Sequence, residues 1–301
     1  MLELRDVPDA ERAGWVPTLA GRLDLLRFRY QYDDPEASAH EAAEFVSGAI
    51  EGSRVFEVTD EGRVVGHLWW GQEGETSSVL DVRLDEPERM GELLSRMLEL
   101  ARGDGSRAIG AGGVPADPSR MALVELPGFG ARATNMVLRL DEPIANPGPL
   151  RLRTMTPEAF DAFRVNLVGD YADELHAAGM TREGADERSR TQTAELIPEG
   201  LDSPGQEFFN AWVDDVAVGH LWLSTERPMA FVYDIVVRDD QRRRGYGRAI
   251  MNAGALWSRE HGHSSLGLNV FAHNAGARAL YDSLGYVVTV DYRTLDLSDA
   301  G

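Results

Sequence analysis

An arginine- and glycine-rich loop, Gln241–Arg248 (QRRRGYGR), directly follows the β-branched and aromatic run Phe231–Val237. The spacing of Ile250, Ala253 and Trp257 predicts an amphipathic helix that begins at this loop. Glycine lets backbone N–H groups approach a ligand closely, the helix dipole adds positive potential, and arginine supplies charge. The pattern predicts an anion site suited to a diphosphate. An arginine-rich helix start without a ligand is the alternative.

A second motif lies downstream, in Leu268–Tyr286 (LNVFAHNAGARALYDSLGY). It has a strand-like start, then Asn274 and Tyr281 in helical sequence, and then Leu-Gly with an aromatic residue. Arg-x-x-Gly-x-Gly after a buried strand, followed by this motif, resembles the GCN5-related N-acetyltransferase (GNAT) superfamily. The resemblance covers residues from about 207 to 286. It implies an α/β domain that transfers an acyl group from acetyl-CoA, or from another short acyl-CoA, to an amine.

The resemblance also implies roles for individual residues. Two central strands splay apart in the family, so the backbone of Ile235 to Val237 would pair with the pantetheine arm, and Asn274 would hydrogen-bond the pantetheine or the helix start. Tyr281 would lie near the thioester sulfur, where a phenol with a pKa near 10 is a plausible general acid; core packing is its alternative role. The implied cofactor-binding residues are Ile235, Val236, Val237, Arg242, Arg243, Arg244, Gly245, Tyr246, Gly247, Arg248, Asn274 and Ala277.

Asp234 is the first candidate for the base, because a carboxylate inside an apolar strand needs a reason. Alternation of side chains could instead turn Tyr233 or Ile235 toward the cofactor and leave Asp234 structural. His220 and Glu174 are further candidates for the base. A histidine recurs at the matching position 67, which favours a hydrogen bond of the fold for His220. The predicted catalytic residues are therefore Tyr281 and Asp234.

The segment Asp170–Gln206 is rich in acidic residues. In the family, helices at this position form much of the acceptor site, and an acidic, partly aromatic wall suits a cationic amine. A solvated helix face is the alternative. The predicted substrate-binding residues are Tyr171, Glu174 and His176. His261 and His263 have no acidic ligand cluster nearby in the sequence, so no metal site is predicted.

The chain repeats itself. Val65–Trp69 (VGHLW) recurs as Val218–Trp222, an offset of 153 residues, and LELR at position 2 corresponds to LRLR at position 150, an offset of 148. Asp141–Pro149, with three prolines, has the composition of a linker. These patterns predict two tandem GNAT-like domains, each with a mixed, mostly antiparallel central sheet flanked by helices. The expected limits are 1–142 and 150–301, joined by a linker at 143–149.

The first copy lacks the features that mark the second. Alignment through the shared Leu and Gly-aromatic positions, an offset of 157, places Val124 opposite Tyr281 and Asp117 opposite Asn274. The phosphate loop becomes Asp85–Gly91 (DEPERMG), which is acidic and would repel a diphosphate. We expect a degenerate domain without acyl-CoA that either shapes the substrate cleft, stabilises the second domain, or is inert.

Composition excludes several classes of protein. The 301 residues contain no cysteine, and all 30 basic residues are arginine. A cysteine acyl-enzyme, a lysine-dependent phosphate loop and a pyridoxal Schiff base are thereby excluded. A net charge of −20 argues against nucleic acid as a partner. No apolar run reaches membrane-spanning length and no leader pattern is seen, so a cytoplasmic protein is expected.

Together these features predict an acetyl-CoA-dependent N-acetyltransferase. Its acceptor would be a primary amine of a small, cationic molecule, and transfer would be direct because no cysteine is present. Acylation of a peptide or protein amine is one alternative. A non-catalytic acyl-CoA-binding or interaction protein is another. The sequence does not choose between a monomer and a homodimer.

Overall fold

The computed structural model describes residues 1–177 and 179–297. Its contacts define two compact units. Unit 1 comprises Met1–Asn135 together with the chain from Val288 onward, and unit 2 comprises Met136–Val287. The domain limits 1–142 and 150–301, about a linker at 143–149, remain a prediction.

The first part of the chain alternates strands and helices. The strands are β1 (Leu2–Asp6), β2 (Arg54–Asp60), β3 (Arg63–Glu73), β4 (Thr76–Leu84), β5 (Ala108–Gly113) and β6 (Phe129–Arg139). The helices are α1 (Asp9–Arg12), α2 (Val16–Leu26), α3 (Pro35–Ile50), α4 (Met90–Gly103) and α5 (Pro118–Val124).

The second part repeats the order. Its strands are β7 (Leu150–Thr154), β8 (Gln206–Val213), β9 (Val216–Ser224), β10 (Ala230–Val237), β11 (Ser265–Phe271) and β12 (Val287–Asp296). Its helices are α6 (Pro157–Ala177), α7 (Arg182–Leu196), α8 (Tyr246–Glu260) and α9 (Ala275–Ser283). The predicted strand before the arginine-rich loop and the helix that begins at the loop are both present, and the predicted mixed α/β architecture is confirmed.

Unit 1 contains the strand order β1-β2-β3-β4-β5-β12. Its pairs are antiparallel except β4 with β5, which is parallel. The last strand of the chain pairs with β5, Asp291–Asp296 against Gly113–Ala108, so the unit is completed by residues distant in sequence. Helix α4 covers one face with Leu93 and Met97, and α2 and α3 cover the other.

Unit 2 contains the order β6-β11-β10-β9-β8-β7, with β10 and β11 parallel. Side chains alternate across β8. Phe208 packs on Trp222 and on the phenylalanines of α6, whereas Phe209 contacts Trp257 of α8, with ring centroids 5.2 Å apart. Helices therefore cover both faces of the strands that carry the candidate site.

The glycine in the repeated VGHLW motif has a steric cause. A Cβ on Gly66 would clash with the carbonyl oxygen of Arg83 on β4, and a Cβ on Gly219 would clash with that of Val236 on β10. Both glycines thus permit close approach of the neighbouring strand. The following histidines, His67 and His220, are held in the same place in both units.

Candidate active site

Strand β10 is paired on one side only along its second half. It pairs with β11 through Ala230–Val232 and ends that pairing there, while pairing with β9 continues to Val237. A register shift lies between Val232 and Asp234. The backbone of Tyr233 to Val237 therefore presents an edge to a splayed gap, and this edge contains the predicted pantetheine-pairing residues Ile235, Val236 and Val237.

The arginine-rich loop leads from this strand into α8. Gly245 is the N-cap residue with φ of 83°, and Arg243 has φ of 62°, so both lie in the left-handed region. Such a turn points backbone N–H groups toward the helix N-terminus, where anions are favoured. A Cβ on Gly247 would lie only 3.3 Å from Leu280 Cδ2. Glycine is thus favoured at 245 by conformation and at 247 by packing.

The arginine side chains of the loop are exposed. Arg242 pairs with Asp239 at 2.7 Å, Arg244 donates to Gln241 at 3.3 Å, and Arg248 donates to Ser283 Oγ at 2.6 Å. The predicted residue Tyr246 begins α8. Asn274 caps α9, its side chain accepting from Ala277 N at 3.1 Å. Helices α8 and α9 therefore both lie at this loop. Asn274 hydrogen-bonds the start of α9, which is one of the two roles predicted for it.

A histidine–aspartate pair lies in the middle of the site. His220 Nε2 is 2.7 Å from Asp234 Oδ2, and the Phe163 ring of α6 contacts the His220 ring at 5.1 Å. The predicted hydrogen bond of the fold for His220 is confirmed, and its partner is the predicted catalytic residue Asp234. Both side chains are about one-quarter exposed, 24% and 26%, so a ligand can reach them.

Helix α6 brings two more carboxyl groups to this pair. Asp170 and Glu174 follow Phe163 by two and three turns on the same helical face. Burial and the nearby carboxylates of Asp234 and Asp170 raise the pKa of Glu174 to about 7. Burial and the charges of Asp234 and Asp173 raise the pKa of Asp170, with a smaller opposing effect from His220. Three carboxyl groups thus interact electrostatically, with Glu174 and Asp234 partly buried and Asp170 exposed.

Tyr281 faces the same group of acids. It is 6% exposed, and burial together with the charges of Asp234 and Glu174 raises its pKa to about 12. Its ring lies 5.8 Å from that of Tyr286. The structure therefore brings together Tyr281, Asp234 and Glu174, which the sequence assigned to two different roles.

Of the other predicted substrate residues, Tyr171 lies beside this site and His176 does not share its helix face. The Tyr171 hydroxyl donates a hydrogen bond to Gln192 Oε1 of α7 at 2.6 Å, and burial, with a smaller contribution from Glu174, raises the pKa of its phenol. His176 lies two positions beyond Glu174, and residues two apart do not share a helix face. It is exposed and its Nδ1 lies 2.8 Å from Met180 O.

Unit 1 contains the counterpart of this site, but its own side chains fill it. His67 Nε2 lies 2.7 Å from Asp81 Oδ2, as in unit 2. Arg22 bonds both oxygens of Asp81, at 2.6 and 3.2 Å, and Arg120 bonds Oδ1 at 3.1 Å. Burial opposes ionisation of Asp81, yet His67 and the two arginines outweigh it and lower its pKa well below the usual value.

The same side chains occupy the splayed strand edge of unit 1. Strand β4 pairs with β5 only through Val79. Beyond that point Arg120 donates to Leu80 O at 3.2 Å and Arg22 donates to Val82 O at 3.1 Å. Ser119 Oγ bonds both the N–H and the carbonyl of Leu84, at 3.0 and 3.2 Å.

The repeat shows what replaces these donors in unit 2. Trp15 packs edge-on against His67, and Phe163 packs edge-on against His220. These matching contacts set an offset of 148 residues between α2 and α6. Asp117 and Asn274 both cap the helix that follows, which fixes the offset of 157. The resulting correspondences are Arg22 to Asp170, Leu26 to Glu174, Ser119 to Gly276, Arg120 to Ala277 and Val124 to Tyr281.

The counterpart of the phosphate loop in unit 1 also lacks its features. A short 3-10 turn, Pro87–Arg89, leads into α4. Arg89 is engaged by Asp60 at 2.9 Å and by Glu92 at 3.0 Å, and Asp85 pairs with Arg83 at 2.6 Å. The only arginine of this turn is thus neutralised by neighbouring carboxylates.

The described residues also limit other kinds of site. Within 1–177 and 179–297 there is no cluster of three histidine or acidic side chains placed to hold a metal ion. Over the same ranges, no helix combines the length and apolar character needed to cross a membrane.

Comparison with known proteins places the chain in a family. Residues 171–286 match the profile of the Acetyltransferase (GNAT) family. The chain is 33% identical over 144 residues, 46% of this chain and 92% of the relative, to the uncharacterized N-acetyltransferase YdgE of Bacillus subtilis. It is 30% identical over 224 residues, 67% of this chain and 70% of the relative, to a mycothiol acetyltransferase of Thermobispora bispora.

A solved structure supports the tandem fold. The tandem GNAT protein from the clavulanic acid biosynthesis pathway matches with a TM-score of 0.50 and 19% identity, covering 98% of each chain. The chain belongs to the GNAT acetyltransferase family, in a tandem form, and is an acetyltransferase. Members of this family generally transfer an acetyl group from acetyl-CoA to an amine.

Proposed function

We propose that unit 2 catalyses direct transfer of the acetyl group of acetyl-CoA to a primary amine of a small, cationic molecule. The observation that carries this proposal is the convergence of Glu174, Asp234 and Tyr281 beside the open edge of β10. The resemblance to a mycothiol acetyltransferase, over 67% of the chain, supports a small molecule over a protein as the acceptor.

The residues present fit acetyl-CoA. The left-handed turn at Arg243 and Gly245, with the start of α8, would hold the diphosphate. The backbone of Ile235 to Val237 would pair with the pantetheine arm along the splayed edge. When bound, acetyl-CoA supplies an acetyl thioester whose carbonyl carbon accepts the amine nitrogen and whose sulfur departs as a thiolate.

Glu174 is the residue that we assign as proton acceptor. A base works best when its pKa lies near the operating pH, and the pKa of Glu174 is raised to about 7. Asp234 is bound to His220 at 2.7 Å, which favours a role in holding the cation and tuning Glu174. A carboxyl group with a pKa of about 7 is readily ionised by an arriving cation and can then accept its proton, which suits an amine that must bind charged and react neutral.

Tyr281 is assigned as a hydrogen-bond donor to the leaving sulfur. Its pKa is raised to about 12, whereas a thiol has a pKa of about 8.5. Complete proton transfer from this phenol to a thiolate would therefore be unfavourable, because the pKa of the phenol is higher than that of the thiol by roughly three. A hydrogen bond requires no such transfer. The hydroxyl would thus stabilise the developing charge by donating a hydrogen bond while keeping its proton. This proposed role differs from the general acid that the sequence predicted.

Unit 1 is proposed to be without acyl-CoA. Arg22, Ser119 and Arg120 already bond the strand edge that would receive the pantetheine, and their counterparts Asp170, Gly276 and Ala277 carry no side-chain donor.

Release of coenzyme A tests the proposal. A thiol reagent follows it without background from the enzyme, since the chain has no cysteine. Purified protein, acetyl-CoA and a panel of monoamines, polyamines, aminoglycosides and lysine peptides are combined, and calorimetry measures acetyl-CoA binding. We expect amine-dependent release and one acetyl-CoA bound per chain. Tight binding without turnover would favour an acyl-CoA-binding protein, and preference for the peptides would favour a protein amine.

A further inference from the structure

In unit 1, arginine side chains bond the aspartate that corresponds to Asp234 of unit 2. The guanidinium of Arg22 bonds Asp81 at 2.6 Å and Asp117 at 2.6 Å, and that of Arg120 bonds Asp81 at 3.1 Å. Asp81 corresponds to Asp234 at the offset of 153. Two fixed positive charges therefore accompany this aspartate in unit 1.

Unit 2 reverses the charge balance in the same place. Arg22 is replaced by Asp170 and Arg120 by Ala277, so two cations are removed and one carboxylate is added. The histidine–aspartate pair is nevertheless kept, at the same 2.7 Å. At the positions of the two arginines unit 2 has no cationic side chain, while the carboxylate at the position of Asp81 is present as Asp234.

The charge of a single reacting ammonium does not neutralise the carboxylates of this site. Asp170, Glu174 and Asp234 interact electrostatically with one another, and Arg188 of α7 acts nearby, on Tyr171. The reacting ammonium is matched by Glu174, which takes its proton. Asp234, which is partly buried and bonded to His220 at 2.7 Å, and Asp170, which is exposed, are then left as neighbouring like charges, and a cation between them would relieve their repulsion.

We propose that the acceptor carries a second cationic group, an ammonium or guanidinium, which binds between Asp170 and Asp234 while its primary amine faces Glu174. This inference rests on the proposed function of unit 2 and names its substrate class. Asp170 and Glu174 lie one helical turn apart, about 6 Å, which sets the approximate separation of the two nitrogen atoms. A short aliphatic diamine or an aminoalkyl guanidine has this form.

Matched amines test the inference. Putrescine and n-butylamine share a four-carbon chain and differ by the second ammonium, and agmatine replaces that ammonium with a guanidinium. We expect kcat/KM for putrescine and agmatine to exceed that for n-butylamine by about tenfold or more, chiefly through KM, because a charge-assisted contact is added. The excess should fall at high salt.

Two variants locate the effect. Asp170→Asn and Asp170→Arg should remove the preference for the diamine, the arginine restoring the cation of unit 1, while acetyl-CoA binding stays unchanged. Asp161→Asn and Asp161→Arg are the controls, since Asp161 lies on the same helix with a side chain that is 73% exposed. These controls change net charge equally and should leave the preference intact. Circular dichroism and thermal unfolding establish that each variant is folded.

The outcomes separate the two proposals. Equal kcat/KM for putrescine and n-butylamine, or a preference that persists in Asp170→Asn, would overturn the dicationic acceptor and leave acetyl transfer to amines standing. Turnover of none of the amines, with acetyl-CoA bound, would overturn the proposed function and this inference with it.

Discussion

His220 and Asp234 are joined at 2.7 Å in unit 2, and the repeat reproduces the same contact between His67 and Asp81 in unit 1. The surroundings differ. The side chain of Asp81 is 0% exposed and bound by two arginines, whereas that of Asp234 is 26% exposed and faces carboxyl groups. One contact thus stabilises the fold in unit 1 and is available to a ligand in unit 2.

The same substitution should therefore affect the stability of the two units differently. Asp81→Asn removes the buried carboxylate that Arg22 and Arg120 share, leaving Arg22 with Asp117 alone, and should cost about 3–5 kcal/mol of unfolding free energy. Asp234→Asn relieves carboxylate repulsion and should change stability by less than about 1 kcal/mol while reducing acetyl transfer. Denaturant unfolding and turnover of both variants measure this. Equal loss of stability in the two would contradict the contrast.

The pH dependence of turnover should report Glu174. With acetyl-CoA saturating and the acceptor well below its KM, we expect kcat/KM for the acceptor to rise with pH up to about 7 and then level, because the pKa of Glu174 in the acceptor-free site is raised to about 7. Asp234 is one cause of this shift, so Asp234→Asn should move the rise to lower pH. Glu174→Gln should remove it and lower kcat by about a hundredfold or more. A wild-type rise that persists in Glu174→Gln would refute the assignment.

Ionisation of Glu174, which favours turnover, should lower the stability of the folded protein. The pKa of Glu174 is higher in the folded state than its ordinary 4.5, so its contribution to stability is full below that value and is lost as pH rises through about 7. Glu174→Gln, which keeps the group neutral, should raise Tm relative to wild type at pH 8 more than at pH 4. Differential scanning fluorimetry at both pH values measures the difference.

Much of this site could be predicted from the sequence because its signals are local. The loop at Arg242–Arg248 and the helix after Asn274 are contiguous motifs, and the repeated VGHLW motif predicts two copies of one fold. The raised pKa of Glu174 could not be predicted, because it depends on burial in the folded chain and on Asp234, sixty residues away on another element. The pairing of β12 with β5 likewise depends on contacts that no short pattern encodes.

A signal for the filled site of unit 1 was nevertheless present. The offset of 148 from the two first strands, extended along the helices, sets Arg22 opposite Asp170, a charge reversal at one position. Its meaning required the structure, because Arg22 acts on Asp81 and on the carbonyl of Val82, which are distant in sequence. The acidic loop Asp85–Gly91 indicated that unit 1 lacks a diphosphate site. The occupied strand edge is a separate reason to expect no acyl-CoA in that unit.

The left-handed turn before α8 should be essential for acetyl-CoA. Gly245 has φ of 83°, so Gly245→Ala strains the loop that we assign to the diphosphate. Gly262, with φ of 89° just beyond the other end of α8, is a matched control because alanine there meets the same strain. Both variants should lose about 1 kcal/mol of stability. Only Gly245→Ala should raise the Kd for acetyl-CoA in calorimetry, and an equal rise in both would remove the loop assignment.

Two neighbouring tyrosines should separate catalysis from packing. Tyr281→Phe removes the hydroxyl that we assign to the leaving sulfur and should lower kcat about a hundredfold, with little change in the Kd for acetyl-CoA, by analogy with loss of one donor from a site of developing charge. Tyr286→Phe is the control, since its ring lies 5.8 Å away.

The Tyr286 hydroxyl is buried, and in the part of the chain that the structure describes it has no hydrogen-bond partner. Removing an unsatisfied buried hydroxyl should leave kcat unchanged and be neutral or stabilising by about 1 kcal/mol. Steady-state kinetics and thermal unfolding of the two variants give the comparison. If Tyr281→Phe keeps wild-type kcat, then the phenol at 281 only packs, and the developing charge on sulfur must be met by another group.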